Sequence, residues 1–129
     1  YGHELAEDVT PLEAGYGWAL PLDARFVGAE ALAIMRTTGD IERALVGIEF
    51  TGRRAAREGD AVLVDGEQVG EVTSGAFGPS VGHAVALAYV APAHDRVDQP
   101  VQAEVRGKRI DGRIARPPFY TEGSARREL

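Results

Sequence analysis

Between residues 44 and 116 the chain carries six short runs of β-forming residues, at 44 to 50, 61 to 65, 68 to 73, 84 to 90, 100 to 106 and 110 to 116. Runs this short and closely spaced leave no room for helices between them, so they predict a barrel or sandwich. The clearest join is Asp65-Gly66, set between Ala61-Val62-Leu63-Val64 and Glu67-Gln68-Val69-Gly70-Glu71-Val72. Both turn positions tolerate positive φ, as a tight two-residue hairpin requires. Arg106-Gly107-Lys108-Arg109 gives a second, weaker turn signal. In the fourth run Val85, Leu87 and Tyr89 alternate with Ala84, Ala86 and Ala88. Both faces should therefore be covered, the large residues filling a barrel and the alanines admitting another element closely. The glycine-rich stretch from Thr73 to Gly82 reads as a long connection whose Gly and Pro residues set its turns.

Ahead of residue 40 the pattern changes. Thr10 and Glu13 form a capping box, Pro11 suits the first helical position and Gly15 suits a left-handed stop, which predicts a single helical turn. Trp18, Leu20 and Leu22 alternate with Ala19, Pro21 and Asp23 and predict a brief edge strand, with Trp18 in the core. From Gly28 to Thr37 the spacing of Ala29, Leu32, Ala33 and Arg36 is helical, and Gly39 is a natural stop. One helix is expected before the β region, with the boundary near Gly39-Asp40 and a frayed tail after Tyr120.

Length and composition narrow the function. A chain of 129 residues fits one ordinary domain, or one domain with part of another. No apolar run approaches the ~20 residues that cross a bilayer as a helix, so no membrane partner is expected. Without cysteine, disulfides, thiolate metal sites and cysteine nucleophiles are excluded. His3, His83 and His94 lie far apart with no metal-motif spacing, so no metal is expected. The formal charge is −6, with residues 100 to 129 at +3 and the remainder at −9. An acidic chain with no aromatic-plus-basic motif argues against nucleic acid. The start at Tyr1, with Met35 the single methionine, reads as a piece of a longer protein. No targeting segment is visible, which leaves the cytoplasm as the default.

Two residues stand out as binding candidates. Glu4, among the carboxylates crowding the beginning, could act as an acid, base or ligand if its surroundings shift its pKa. Tyr120, in Arg116-Pro117-Pro118-Phe119-Tyr120, could either plug the barrel or offer its hydroxyl to a ligand. Ser74 and Ser80 lack a nucleophile-elbow or phosphate-loop context.

Several segments, in order, resemble one family. These are Tyr1-Gly2-His3-Glu4, Pro11-Leu12-Glu13-Ala14-Gly15-Tyr16-Gly17-Trp18, Phe26-Val27-Gly28-Ala29-Glu30-Ala31-Leu32, Gly66-Glu67-Gln68-Val69-Gly70-Glu71-Val72-Thr73-Ser74-Gly75, Ala86-Leu87-Ala88-Tyr89-Val90 and Pro118-Phe119-Tyr120. Together they resemble the C-terminal portion of the T protein of the glycine cleavage system, the aminomethyltransferase family. The resemblance implies a mainly β fold: a six-stranded Greek-key antiparallel β-barrel over residues 40–120, after an α/β remnant over 1–39 and before a tail over 121–129. It implies a parent about three times longer that uses tetrahydrofolate as substrate, needs no metal and receives its aminomethyl group from the lipoylated H protein. The family's catalytic aspartate belongs to a segment outside this chain, so the fragment alone should be inactive and no catalytic residue is expected here. Tyr120 becomes the best substrate-binding residue through the Phe-Tyr motif, and Glu4 the second through the Tyr-Gly-x-Glu segment. Thr121 stands where relatives often carry a basic residue. The alternative reading is a non-catalytic folate-binding or interaction module, as in dimethylglycine- and sarcosine-oxidising enzymes.

Overall fold

The computed structural model describes residues 1–21, 23 and 25–124. Six strands, β1 (Ala44–Phe50), β2 (Ala61–Val64), β3 (Glu67–Gly78), β4 (His83–Val90), β5 (Pro100–Val105) and β6 (Lys108–Ala115), close into a barrel in the order β1-β4-β3-β2-β5-β6. Every neighbouring pair is antiparallel. β2, β3 and β4 follow one another as hairpins and β5 returns to lie beside β2, which is the Greek-key arrangement. Both tight turns form as the sequence predicts: Asp65 and Gly66 have φ of 51° and 82°, Arg106 and Gly107 have 51° and 73°. Positive φ at both central positions matches the turn to the right-handed twist of its strands.

The faces of β4 are opposite to expectation. Ala84, Ala86 and Ala88 point into the barrel, fully buried beside Ile48, Phe50, Val72 and Ile114, while Val85, Leu87 and Tyr89 face outward. A six-stranded lumen is narrow, so one strand must contribute small side chains if bulky ones enter from the strands opposite. The connection expected over Thr73–Gly82 is also mostly strand, because β3 runs on to Gly78 and turns only over residues 79 to 82. Its glycines serve close approach: a Cβ on Gly75 would lie 2.2 Å from the Ala56 carbonyl oxygen, and one on Gly70 2.1 Å from that of Tyr89. Ala56, wholly buried, belongs to the loop over residues 51 to 60 that crosses from β1 to β2 and covers that end of the barrel.

Ahead of the barrel, the capped turn forms as expected. The Glu13 carboxylate accepts the Thr10 N–H and hydroxyl, both at 2.8 Å, and the Glu13 N–H donates to the Thr10 hydroxyl at 3.3 Å. Gly15, at φ 77°, closes it, with Tyr16 N–H donating to the Pro11 carbonyl at 2.8 Å and Gly15 N–H to that of Leu12 at 3.2 Å. The strand expected from Trp18 is instead a 3-10 turn, Gly17–Ala19, and Trp18 is 82% exposed rather than in the core. Leu22 of that expected strand lies outside the described residues. The helix α1 (Ala29–Thr38) runs between left-handed Gly28 and Gly39, close to its predicted span, and buries none of its residues. Among the described residues no helix is long and apolar enough to cross a membrane.

Candidate functional site

The outer face of β3 and β4 holds Glu4, the first of the two residues singled out from the sequence. Successive strand residues normally point to opposite faces, so one carboxylate could not ordinarily reach two neighbours on a strand. The pairing of β3 with β4 slips between Val72 and Ser74, leaving Thr73 as the extra residue of a bulge. Both hydroxyls therefore turn toward Glu4: Thr73 Oγ1 donates to Glu4 Oε1 at 2.8 Å, and Ser74 Oγ donates to the same oxygen. The Tyr89 hydroxyl, also outward, donates to the Glu4 carbonyl at 2.7 Å. Burial pushes the Glu4 carboxyl up, but the hydrogen bonds from Ser74 and Thr73, with smaller help from its own backbone N–H and from His3, outweigh it and hold its pKa below the ordinary 4.5. Glu4 is thus an anion at neutral pH. Its Oε2 accepts no hydrogen bond among the described residues and remains open to a donor.

A second polar cluster holds the same segment farther along. Arg43 Nε donates to Glu13 Oε1 at 3.2 Å and Arg43 Nη2 to the Asp8 carbonyl at 2.6 Å, while the guanidinium carbon lies 5.3 Å from the Tyr89 ring centroid. Glu13 is 6% exposed. Burial raises its pKa, the bonds from Thr10 and the Arg43 charge lower it, and the net shift is downward. Desolvation raises the Tyr89 pKa and keeps its phenol a donor. Glu13 therefore caps a turn and also anchors that turn to the barrel, reinforced by Leu45 N–H donating to its carbonyl at 2.9 Å.

Tyr120 lies beyond β6 and is 44% exposed, its hydroxyl in no hydrogen bond among the described residues. Its neighbour Phe119 packs where Gly47 leaves space; a Cβ there would come within 2.8 Å of the ring. Gly47 pairs with Leu87 on β4, and Leu87 pairs with Ser74 on β3. Phe119 and the hydroxyl that holds Glu4 thus share one row, two strand spacings or ~10 Å apart, with Leu87 between. Phe119 and Glu4 mark the two sides of one outward face with Leu87 in its middle, and Tyr120 follows Phe119 in the chain. That face can present the Glu4 carboxylate beside an apolar surface. The roles of Thr73 and Ser74 were missed because no sequence signal marks the bulge that aligns them. Arg43 was missed as well. Among the described residues no group of three or more His, Asp or Glu side chains could hold a metal ion.

Comparison with known proteins agrees with this architecture. A profile of the glycine cleavage T-protein C-terminal barrel domain matches residues 43–121. An aminomethyltransferase of Nostoc sp. is 43% identical over 122 residues, covering 93% of this chain and 32% of that protein. Another from Thermotoga petrophila is 43% identical over 129 residues, covering 100% of this chain and 35% of that protein. The crystal structure of glycine cleavage system aminomethyltransferase T from Bartonella henselae superposes with a TM-score of 0.82 at 34% identity, covering 92% of this chain and 34% of that one. The chain spans about a third of the length of these relatives. It belongs to the glycine cleavage T-protein family, with the family's C-terminal barrel formed by its six strands.

Proposed function

We propose that the chain is the C-terminal part of a tetrahydrofolate-dependent aminomethyltransferase of the glycine cleavage system. Residues 1–39 close the preceding folate-binding α/β domain, 40–120 form the barrel domain and 121–129 are a tail. The observation that carries this reading is the match along the whole chain, at 43% identity, to a curated aminomethyltransferase nearly three times its length. In the reaction two folate amine nitrogens each bond to the methylene of the aminomethyl group carried on the lipoyl arm of the H protein, as its C–S and C–N bonds break and the two N–H protons pass to the leaving sulfur and nitrogen. The products are methylenetetrahydrofolate, ammonia and the freed lipoyl thiol.

Glu4 and Tyr120 serve binding in this scheme. Glu4 is ionised and rigid, with Oε2 open to an N–H of the folate; Tyr120 presents its hydroxyl at the rim. Neither touches the reacting methylene, and the proton-handling carboxylate belongs to the rest of the parent protein. In that parent, Glu4→Gln and Tyr120→Phe should each raise KM for tetrahydrofolate by about tenfold, the cost of one lost polar contact, with kcat within about twofold. An unchanged KM in both removes these residues from the folate site. Turnover by the isolated chain with lipoylated H protein would overturn the reading of it as an incomplete enzyme.

A further inference from the structure

Where the β1–β2 loop crosses the barrel end, an open cleft of about 480 Å³ is lined by Arg53, Arg54, Arg57 and Arg106 together with Phe77. Four arginines line this one cleft in a chain whose formal charge is −6. None of the four has a carboxylate within 4.0 Å among the described residues, although the loop itself carries two. Glu58 is turned away to His3, at 3.1 Å, and Asp60 accepts the Arg57 backbone N–H at 2.8 Å. The two acidic side chains of the loop are thus occupied elsewhere, and no ion pair neutralises the arginines among the described residues.

Like charges gathered without counter-ions repel, but all four side chains are exposed, so water and salt screen the repulsion while a bound anion would relieve it. The Arg53 guanidinium carbon sits 4.2 Å from the Phe77 ring centroid, which orders that side chain with its N–H fork free. Arg106 is the first residue of the tight β5–β6 turn, held at φ 51°. Beneath them, the Ala56 backbone is locked against Gly75, where no side chain fits. Three separate elements, the crossing loop, β3 and the β5–β6 turn, each supply part of the cleft.

We propose that this cleft binds an oligophosphate, either free or as the phosphate tail of a nucleotide. Each guanidinium offers five N–H donors in a planar fork, so four of them far exceed what a single carboxylate can accept. A chain of linked phosphates supplies enough oxygens, enough charge and tetrahedral geometry that suits forks arriving from different directions. The volume lies within the range of small-ligand sites. This site does not depend on the proposed reaction.

Calorimetric titration of the purified protein with sodium triphosphate, and separately with ATP, at ~0.1 M salt tests it. Saturable binding is expected, at least about tenfold tighter than that of sulfate at matched ionic strength. Arg53→Gln with Arg106→Asn, the asparagine chosen to tolerate positive φ, should weaken it by at least about tenfold per arginine. Arg54→Gln alone should weaken it by about tenfold and stands in if the double variant does not fold. Lys108→Gln with Arg96→Gln removes equal charge outside the cleft and should change affinity by less than about twofold. ATP binding more tightly than triphosphate identifies a nucleotide tail as the ligand; weaker binding identifies the free oligophosphate. No saturable binding below ~5 mM, or equal weakening by the control pair, overturns the proposal.

Discussion

The barrel and the segment before it are built on different forces. In the barrel every strand sends side chains into one interior, where Ile48, Val62, Val72, Val90 and Ile114 are essentially out of water. Burial of this kind contributes roughly 1.5–3 kcal/mol per large aliphatic side chain, so the barrel holds itself together. In the segment, Glu13 and Ala14 are the buried residues among those described, α1 buries nothing, and Trp18, Val27 and Ile34 face outward. What joins the two regions is polar: Glu4 on Thr73 and Ser74, the Tyr89 hydroxyl on the Glu4 carbonyl, and Arg43 between Asp8 and Glu13. Global stability should therefore sit in the barrel, while the geometry of the candidate site sits in hydrogen bonds at its surface.

Core truncation tests that division most severely. Ile48→Ala, at a wholly buried position, should cost about 2–5 kcal/mol in urea unfolding, while Ile34→Ala on the exposed side of α1 should stay within ~0.5 kcal/mol. Similar losses in both would mean that the segment contributes to the same cooperative core. A smaller effect is expected at the loop that closes the barrel end. Gly75→Ala sets a methyl group against the Ala56 carbonyl, and because that obstacle is backbone rather than a flexible side-chain tip, the loop or the strand must move. A loss of about 1–3 kcal/mol follows, with amide exchange quickening around residues 52 to 60. An unchanged exchange pattern there would show that the loop tolerates displacement and that its packing on β3 is loose.

The barrel was legible because its signals are local. Alternation and the positive-φ pairs Asp65-Gly66 and Arg106-Gly107 need no knowledge of distant residues. The inward face of β4 was not, because choosing between alanines and large residues depends on how narrow a six-stranded lumen is, and the strand alone does not state that. Trp18 was misjudged for a related reason: a large aromatic residue signals burial, yet none of the described residues packs around it to bury it. At the candidate site the capping box could be read because both partners lie within one turn. The Glu4 contacts span 69 and 70 positions in sequence and depend on a bulge, so only the folded chain brings them together. The Arg53-Arg54-x-x-Arg57 run was available as a signal, but its meaning rests on Arg106 arriving from another hairpin.

The finest test concerns the charge on Glu4. Its folded-state pKa is depressed below the ordinary 4.5, so its docking is at full strength above that value and weakens as the pH falls through the lower folded-state pKa. Glu13 follows the same sign, so acid should loosen both attachments of the segment before the apolar barrel responds. The depression is a contest between burial, which pushes the carboxyl up, and the two hydroxyls, which with smaller help from its own backbone N–H and His3 pull it down. Ser74→Ala with Thr73→Val removes the hydroxyls and leaves burial in place, so the Glu4 carboxyl resonance should titrate at a higher pH than in the unmodified protein. The barrel's own strand amides should remain protected across the same range, since their stability does not depend on that charge. If the titration midpoint of Glu4 fails to rise, the bulge is not what holds the carboxylate, and the link between the barrel and its preceding segment must be sought at Arg43 instead.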